Sequence, residues 1–296
     1  MHQSAGALIL LVILIPACAS KRTVPSVIDD ATQVAKTPPD QITTSHHSSW
    51  TLTPVSTTHK YHSVTNTRIQ LDGLDTGKAE DTISTITEFT ISLDQLQTSV
   101  AVEGQINQIL INAGVRVGLS PQQFISPIGF SGTLTHGKLI LRSSSIPPLD
   151  ENSCNTMANI ALGDIRTALA TVPSKISVTS HWTDTISASI CAGSKIRSNL
   201  EIVRSYSVIG ETNYAGISAL LLKRAEVTHL SGTGSQNQHQ IKLEVFGSGL
   251  SDLYIDTISG LVLTVESHND SRLRMNASGQ THYFSQTINQ RITLSP

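Results

Sequence analysis

The chain has 296 residues, of which 39% are hydrophobic, 14% charged and 4% aromatic, and its 20 Lys and Arg nearly balance 22 Asp and Glu. This length can bury a core in one large domain, and the composition is not that of a coiled coil or a collagen. The net charge of −2 lacks the attraction that a polyphosphate partner needs, so no nucleic-acid binding is expected.

The amino terminus carries an export signal. The aliphatic run 8–15 fits the core of a signal peptide, residues 1–17, and is shorter than the ~20 residues that span a bilayer. It ends in Leu14-Ile15-Pro16-Ala17-Cys18, which resembles the bacterial lipobox. That resemblance implies that Cys18 carries a diacyl lipid and anchors the chain in the cell envelope, at the outer membrane facing the periplasm. The alternatives are secretion after cleavage before Ser20 and an uncleaved anchor.

Export also bears on the two other cysteines, because it would place them in an oxidising compartment. Without Cys18 the chain keeps Cys154 and Cys191, an even number in an oxidising compartment. We predict a disulfide between them, with two unrelated buried thiols as the alternative. Neither cysteine has a second thiol or a histidine at ligand spacing, so no metal site is predicted.

Residues 18–49 differ in character from the rest. This stretch contains three prolines, many Ser and Thr, and no periodic apolar face, which predicts a flexible tether. A single β-rich domain is predicted over 50–296.

Period-two patterns dominate this domain. Apolar residues alternate with polar ones in several segments, which predicts antiparallel strands with one buried side. Examples of the apolar positions are Phe89, Ile91, Leu93, Ile241, Leu243, Val245, Leu261, Leu263 and Val265.

One segment has helical periodicity instead. Ser153 can cap a helix whose apolar residues recur at 3.6 spacing until Pro173 ends it, which predicts a helix over 153–172. The helix joins two β-rich segments, 50–149 and 174–296. The features that these two segments share fit either an old duplication or the pattern that any two β meanders have in common.

A family resemblance lies in the segment Asp256–Glu266. Its pattern D-x-x-x-G-L-x-x-x-x-E is similar to a hairpin of the lipoprotein-carrier-like proteins, the envelope family that includes LolA, LolB and the LppX group. The resemblance implies a curved antiparallel sheet with helices on its concave side and a cavity for acyl chains. We therefore predict a mainly β (α+β) fold, a large curved antiparallel sheet or unclosed barrel with one central helix packed on it.

The sequence lacks the common catalytic and cofactor motifs. It contains no G-x-S-x-G, H-E-x-x-H, G-x-x-x-x-G-K or C-x-x-C, so neither an enzyme nor a cofactor is predicted. His59 and His62 lie three positions apart, and strand geometry would place them on opposite faces. Asp184 and the turn acids are interpreted as solvated. The turn acids are Asp72, Asp75 and Asp81.

Three functional classes follow from these observations. The first is a membrane-anchored, non-catalytic protein that binds or carries a lipid or other hydrophobic ligand, in a cavity lined by aliphatic side chains between the helix and the sheet. The alternative is a tethered structural or protein-binding module with no small-molecule ligand and an apolar patch outside. An enzyme is the third class and would need a converging polar cluster in a cleft.

Overall fold

A computed structural model gives the fold of the chain. The description covers residues 49–53, 56–71, 80–95, 99–113, 122–124, 127–135, 138–144, 156–191, 196–236 and 239–295.

Long strands and one helix make up the described residues. The helix α1 spans Thr156–Ala168. The strands are β1 (Ser49–Thr51), β2 (Thr58–Leu71), β3 (Glu80–Gln95), β4 (Val100–Ala113), β5 (Gln122–Phe124), β6 (Ile128–Thr135), β7 (Lys138–Ser144), β8 (Lys175–Ser177), β9 (His181–Cys191), β10 (Ile196–Tyr214), β11 (Ile217–Gln236), β12 (His239–Asp256), β13 (Val262–Ala277) and β14 (Gln280–Leu294). The predicted β-rich character is confirmed.

Eleven of these strands close into a barrel. The hydrogen-bonded order around the ring is β3-β2-β14-β13-β12-β11-β10-β9-β7-β6-β4, and β4 pairs again with β3. β5 adds to β4, while β1 pairs with β8 in a separate two-stranded sheet. Every junction in the ring is antiparallel except that between β7 and β9.

The prediction of an unclosed sheet with a helix packed on it is therefore wrong. β3 and β4 pair along the whole of Ile83–Gln95, which joins the two edges of the sheet. Eleven strands at ~4.8 Å spacing give a circumference of roughly 53 Å and a backbone diameter of roughly 17 Å before tilt. A helix with side chains is ~10 Å wide, so a closed ring of this size holds one helix.

The alternation of each strand separates the two faces of the wall. On β10, Ile196, Tyr206 and Val208 are buried, whereas Arg197 and Glu201 between them are exposed. The buried side chains of all ring strands and of α1 form one core. Leu243 and Val245 face this core, as the alternation of their strand predicted. The start of β13 does not alternate, because its first four residues, 262–265, are all buried.

One mouth of the barrel is covered by the β1–β8 sheet. Trp50 and Ile176 are paired partners in this sheet and both are buried. The backbone N–H of Leu52 donates to the Ser174 carbonyl at 2.8 Å, and that of Thr53 donates to the Ile258 carbonyl in the β12–β13 turn at 2.7 Å. The chain therefore crosses the barrel mouth immediately before it enters β2.

The β12–β13 turn explains part of the predicted hairpin pattern. The Asp256 carboxylate accepts hydrogen bonds from the backbone N–H groups of Ile258 (3.1 Å) and Ser259 (2.6 Å). Gly260 has φ +71°, a left-handed conformation that favours glycine. Asp and Gly at these two positions are accounted for by turn chemistry.

Candidate functional site: the plugged lumen and the outer wall

The helix α1 lies inside the barrel. It contacts β3, β4, β7, β9 and β13, which lie on different sides of the ring. Most of its described residues are buried, namely Ala161, Leu162, Asp164, Ile165, Arg166 and Ala168, while Gly163 and Thr167 are half-buried. The helix is therefore a plug in the lumen.

Two arginines of the wall hold the carboxyl end of this plug. Arg204 Nη1 donates to the backbone carbonyls of Arg166 (2.8 Å) and Leu169 (3.0 Å), and Arg224 Nη1 donates to that of Thr167 (2.9 Å). Carbonyls in the last turn of a helix have no partner within the helix, and that end carries partial negative charge. The guanidinium groups donate hydrogen bonds to these carbonyls and place positive charge beside the negative end of the helix.

The charge of Arg204 is balanced by a buried carboxylate. Asp184 accepts from Arg204 Nε at 2.6 Å and Nη2 at 2.7 Å, a bidentate pair. It also accepts from the hydroxyls of Tyr206 (2.9 Å) and Thr171 (2.6 Å). Burial raises the pKa of the Tyr206 hydroxyl, so it stays a donor. We call Arg204, Arg224, Asp184 and Tyr206 the arginine latch. The interpretation of Asp184 as solvated is wrong.

A second polar contact binds the plug to the opposite side of the ring. The Asp164 carboxylate accepts from Gln290 Nε2 at 2.6 Å, and Gln290 also donates to the Thr65 hydroxyl at 3.0 Å. Burial raises the pKa of Asp164 to about 6, although the hydroxyls of Thr87, Ser63 and Thr65 and the Gln290 amide favour its ionised form. Asp164 and Gln290 form the acid latch.

The latches orient the helix, and the arginine latch is closed to solvent. Arg204 and Asp184 are each about 1% exposed along their side chains, so no substrate reaches them from solvent. Among the described residues, no three His, Cys, Asp or Glu side chains converge on a possible metal ion. His59 and His62 lie on different faces of β2, one at the mouth and one on the outer wall.

A small cleft of about 480 Å³ lies at the covered mouth. It lies beyond the carboxyl end of α1, where Leu169 and Val172 meet Leu52 and Leu261. The predicted cavity between the helix and the sheet, lined mainly by aliphatic side chains with few charges, is found only in part, as this cleft beyond the end of α1 and not in the lumen beside the described part of the helix. The helix occupies that space and is held there by charged side chains.

The predicted covalent sites lie mostly outside the description. Cys18 and Cys154 are outside the described residues, and Cys191 is the last residue of β9 with a side chain that is not described. Both the lipid on Cys18 and the disulfide stay predictions. Within the described part of the chain, no helix is long and apolar enough to cross a bilayer.

The outer wall of the barrel is polar. The outward positions of β13, for example, form an exposed row of four charged residues and one histidine: Glu266, His268, Asp270, Arg272 and Arg274. Barrels that span membranes show the reverse alternation, apolar outside and polar inside, and a charge on their lipid face costs up to about 2–4 kcal/mol at mid-bilayer. The outward face of β13 therefore suits contact with water.

Four exposed apolar residues lie next to one another on the outer wall. Val203, Val227, Phe246 and Leu250 are 40%, 63%, 59% and 68% exposed on the adjacent strands β10, β11 and β12. Val203 is paired directly with Val227. Val227 is the diagonal neighbour of both β12 residues, because His229 pairs with Phe246 and Ala225 pairs with Leu250. We call these four exposed residues the apolar strip.

Comparisons with known proteins add little to this geometry. The sequence matches no protein-family model and no curated protein. Among solved structures, the chain is similar to Pseudomonas aeruginosa OccK2 (OpdF) in complex with glucuronate, with 7% identity over 81% of this chain and 98% of that chain and a TM-score of 0.25.

Two further structures give similar values. For an outer membrane channel from Pseudomonas putida F1 the identity is 9%, the coverage 83% and 98%, and the TM-score 0.23. For Salmonella typhi OmpF in complex with daunomycin they are 8%, 81% and 98%, and 0.24. At TM-scores this low, the likeness carries no argument about the function of this chain.

The prediction of a carrier for a lipid or other hydrophobic ligand is wrong. It required an open, curved sheet whose concave side was left to a ligand. The sheet closes through β3 and β4, and the lumen holds the chain's own helix.

Proposed function

We propose that this chain is a non-catalytic protein-docking module of the cell envelope, with its binding surface on the outer wall of the barrel. The apolar strip supports this proposal most directly. Contiguous exposed apolar areas mark sites of protein contact, whereas single exposed apolar side chains are ordinary.

The closed lumen supports an outer site indirectly. The helix and its two latches occupy the interior, where other small barrels place a ligand. The strip is also carried by three long, paired strands, and β11 and β12 pair without interruption over Ala219–Gln236. A rigid wall holds an apolar surface in place with little ordering cost on binding.

Aromatic character adds to the case for contact with a protein. The Phe246 ring stacks on His229 with centroids 4.8 Å apart. Phe246 therefore presents a pre-positioned flat surface, and aromatic side chains are enriched at the centres of protein interfaces.

The envelope location is proposed from the export signal in residues 1–17. The lipid on Cys18 would add an anchor, and residues 18–49 would let the barrel stand away from the membrane. Docking through β10–β12 does not depend on that anchor, because the strip lies far along the chain from Cys18.

The test is photo-crosslinking in intact cells. A benzophenone amino acid at position 227 is expected to give one discrete adduct with a protein, and Leu250→Asp in the same chain is expected to abolish it. The control is the same probe at Ile258, which is 70% exposed but lies in the β12–β13 turn. Absence of an adduct at 227, or equal labelling at both positions, would contradict the proposal.

A further inference from the structure

We propose that the lumen of the barrel holds a small monovalent anion, bound by the guanidinium group of Arg166. Arg166 lies in the last turn of the plug helix α1 and is 4% exposed. Two features of this residue point to an anion: its charge has no partner among the described residues, and a small space remains beside it. The site lies inside the barrel and is independent of the docking surface proposed for the outer wall.

The Arg166 guanidinium has no acceptor in the described part of the chain. No carboxylate, hydroxyl or carbonyl there accepts a hydrogen bond from it, although the backbone carbonyl of Arg166 accepts one from Arg204. Burial lowers the pKa of Arg166 to about 10, and no described carboxylate counteracts this shift. The group therefore stays charged at neutral pH, in a place that water hardly reaches.

The two arginines of the wall, in contrast, are each matched by a carboxylate. Arg204 forms its bidentate pair with Asp184 at 2.6 and 2.7 Å. Arg224 Nε lies 3.6 Å from a carboxylate oxygen of Glu226, whose side chain is 12% exposed. Both acids are engaged by the wall, and neither contributes to the pKa of Arg166. Within the described residues, the arginine of the helix is therefore left without an acid.

Asp164 is a buried carboxyl on the same helix, but it does not pair with Arg166. Two positions along an α-helix correspond to a rotation of about 200°, so the two side chains leave opposite faces. Asp164 faces the hydroxyls of Ser63 and Thr87 and the amide of Gln290. The helix therefore presents its acid to β2, β3 and β14 and its arginine to the other side of the lumen.

A small space adjoins the Arg166 guanidinium. Arg224 Nε is fully enclosed without a hydrogen-bond partner, whereas no nitrogen of the Arg166 side chain is in that condition. Since these nitrogens have no described partner either, they border space that a water-sized particle can touch. The cleft at the mouth reaches Leu169 and Ala170 but not Arg166. The space therefore belongs to the lumen and not to that cleft.

The chemistry of the site selects the class of ligand. A guanidinium group presents five N–H donors and no acceptor, so an anion is its complement. A monovalent anion neutralises one positive charge, whereas sulfate or hydrogen phosphate would bury an additional negative charge, which is strongly unfavourable away from water. An organic acid would need a wider cavity. Chloride meets these conditions.

Urea unfolding of the exported protein at constant ionic strength tests the site. Sodium gluconate, whose anion is bulky, is exchanged for sodium chloride from about 1 to about 200 mM chloride. Because chloride would bind the folded chain alone, we expect the unfolding midpoint to rise with chloride. Each tenfold rise above the dissociation constant should multiply the folding equilibrium constant by up to about tenfold.

A substitution at Arg166 links this effect to the site. Arg166→Met removes the charge and keeps an unbranched side chain. We expect it to abolish the chloride dependence, and to be more stable than the parent in gluconate, where the parent's guanidinium has no counter-ion. The matched control is Arg272→Met, which removes an exposed arginine from the outer wall and should keep the parent's chloride dependence.

Diffraction from crystals of the parent protein grown in bromide locates the ion without relying on a variant that folds. An anomalous peak is expected within hydrogen-bond distance of the Arg166 guanidinium. Stability that ignores chloride, a chloride dependence that persists in Arg166→Met, or no bromide beside Arg166 overturns the inference. None of these results bears on the docking function, which the probe at position 227 tests separately.

Discussion

The single residues that matter most to this barrel are charged residues whose side chains point inward. Arg204 lies on the same face of β10 as Tyr206 and Val208, and Arg224 follows Leu220 and Leu222 on the buried face of β11. A charge at an apolar position of an alternating strand is visible in the sequence and predicts a buried partner. Its partners, the last carbonyls of a helix inside the ring, depend on the closed fold and could not be read in advance.

Asp164 makes the stability of the fold depend on pH. Its pKa is raised by burial from 3.8 to about 6, so the folded chain keeps the proton at a pH where the unfolded chain has lost it. The stabilisation is fully present below about pH 4 and is lost as the pH rises through about 6. We expect this group alone to lower the free energy of unfolding by up to ~3 kcal/mol between about pH 4 and pH 7.

The variant Asp164→Asn isolates this effect. Its amide oxygen can still accept from Gln290 Nε2 but cannot ionise, so urea unfolding is expected to show a flatter dependence on pH and higher stability than the parent at neutral pH. The control is Asp94→Asn on the exposed end of β3, which should keep the parent's slope. An unchanged slope in Asp164→Asn would show that the carboxyl is not the titrating group.

At the scale of elements, the helix was visible in the sequence while its surroundings were not. The 3.6-residue period of apolar positions and Pro173 predicted a helix over 153–172, and the structure has one over Thr156–Ala168. Periodicity reports an apolar stripe, which one flat sheet would cover. Asp164 and Arg166 lie outside that stripe and are buried as well, because the wall surrounds the helix.

Two glycines show that the surroundings of β4 are tightly packed and that those of one face of α1 are open. A Cβ on Gly104 of β4 would overlap the Thr90 carbonyl oxygen and the Phe130 ring, whereas a Cβ on Gly163 of α1 would meet nothing within 4 Å. We expect Gly104→Ala to destabilise the fold by about 1–3 kcal/mol through overpacking. Gly163→Ala is expected to stabilise it by about 0.5–1 kcal/mol, because alanine restricts the unfolded chain more and favours helix.

Chemical unfolding of both variants measures this difference. Each change adds one methyl group at a glycine, so the two variants are controls for each other. If Gly163→Ala destabilised the barrel as much as Gly104→Ala, the helix would be packed in the lumen more tightly than its surroundings indicate.

At the scale of the molecule, closure was the property that the sequence did not reveal. Alternation fixes which face of a strand is buried, as Leu243 and Val245 show, but it is the same in an open and a closed sheet. Closure depends on strand number, tilt and stagger, and on the pairing of β14 with β2 and of β7 with β9, strands that are not consecutive in the chain. The outer apolar strip could not be read for the same reason, since its members come from three strands.

The junction of β7 and β9 is the weakest part of the ring. Only Lys138 with Thr185 and Leu139 with Ile186 are paired there, in parallel, whereas β11 and β12 pair over Ala219–Gln236. Parallel neighbours need a crossover connection, and here that connection contains α1 and passes through the lumen. Opening this junction breaks few hydrogen bonds.

We therefore expect native-state hydrogen exchange to reveal a local opening at this junction. Amides of β7 and of the first half of β9 that face each other should exchange with a lower opening free energy and a weaker denaturant dependence than those of β11, which should open only in global unfolding. The β11–β12 ladder is the internal control within the same sample. Equal opening free energies at both places would mean that the barrel opens only as a whole, and that the plug is held by the entire ring rather than released at one junction.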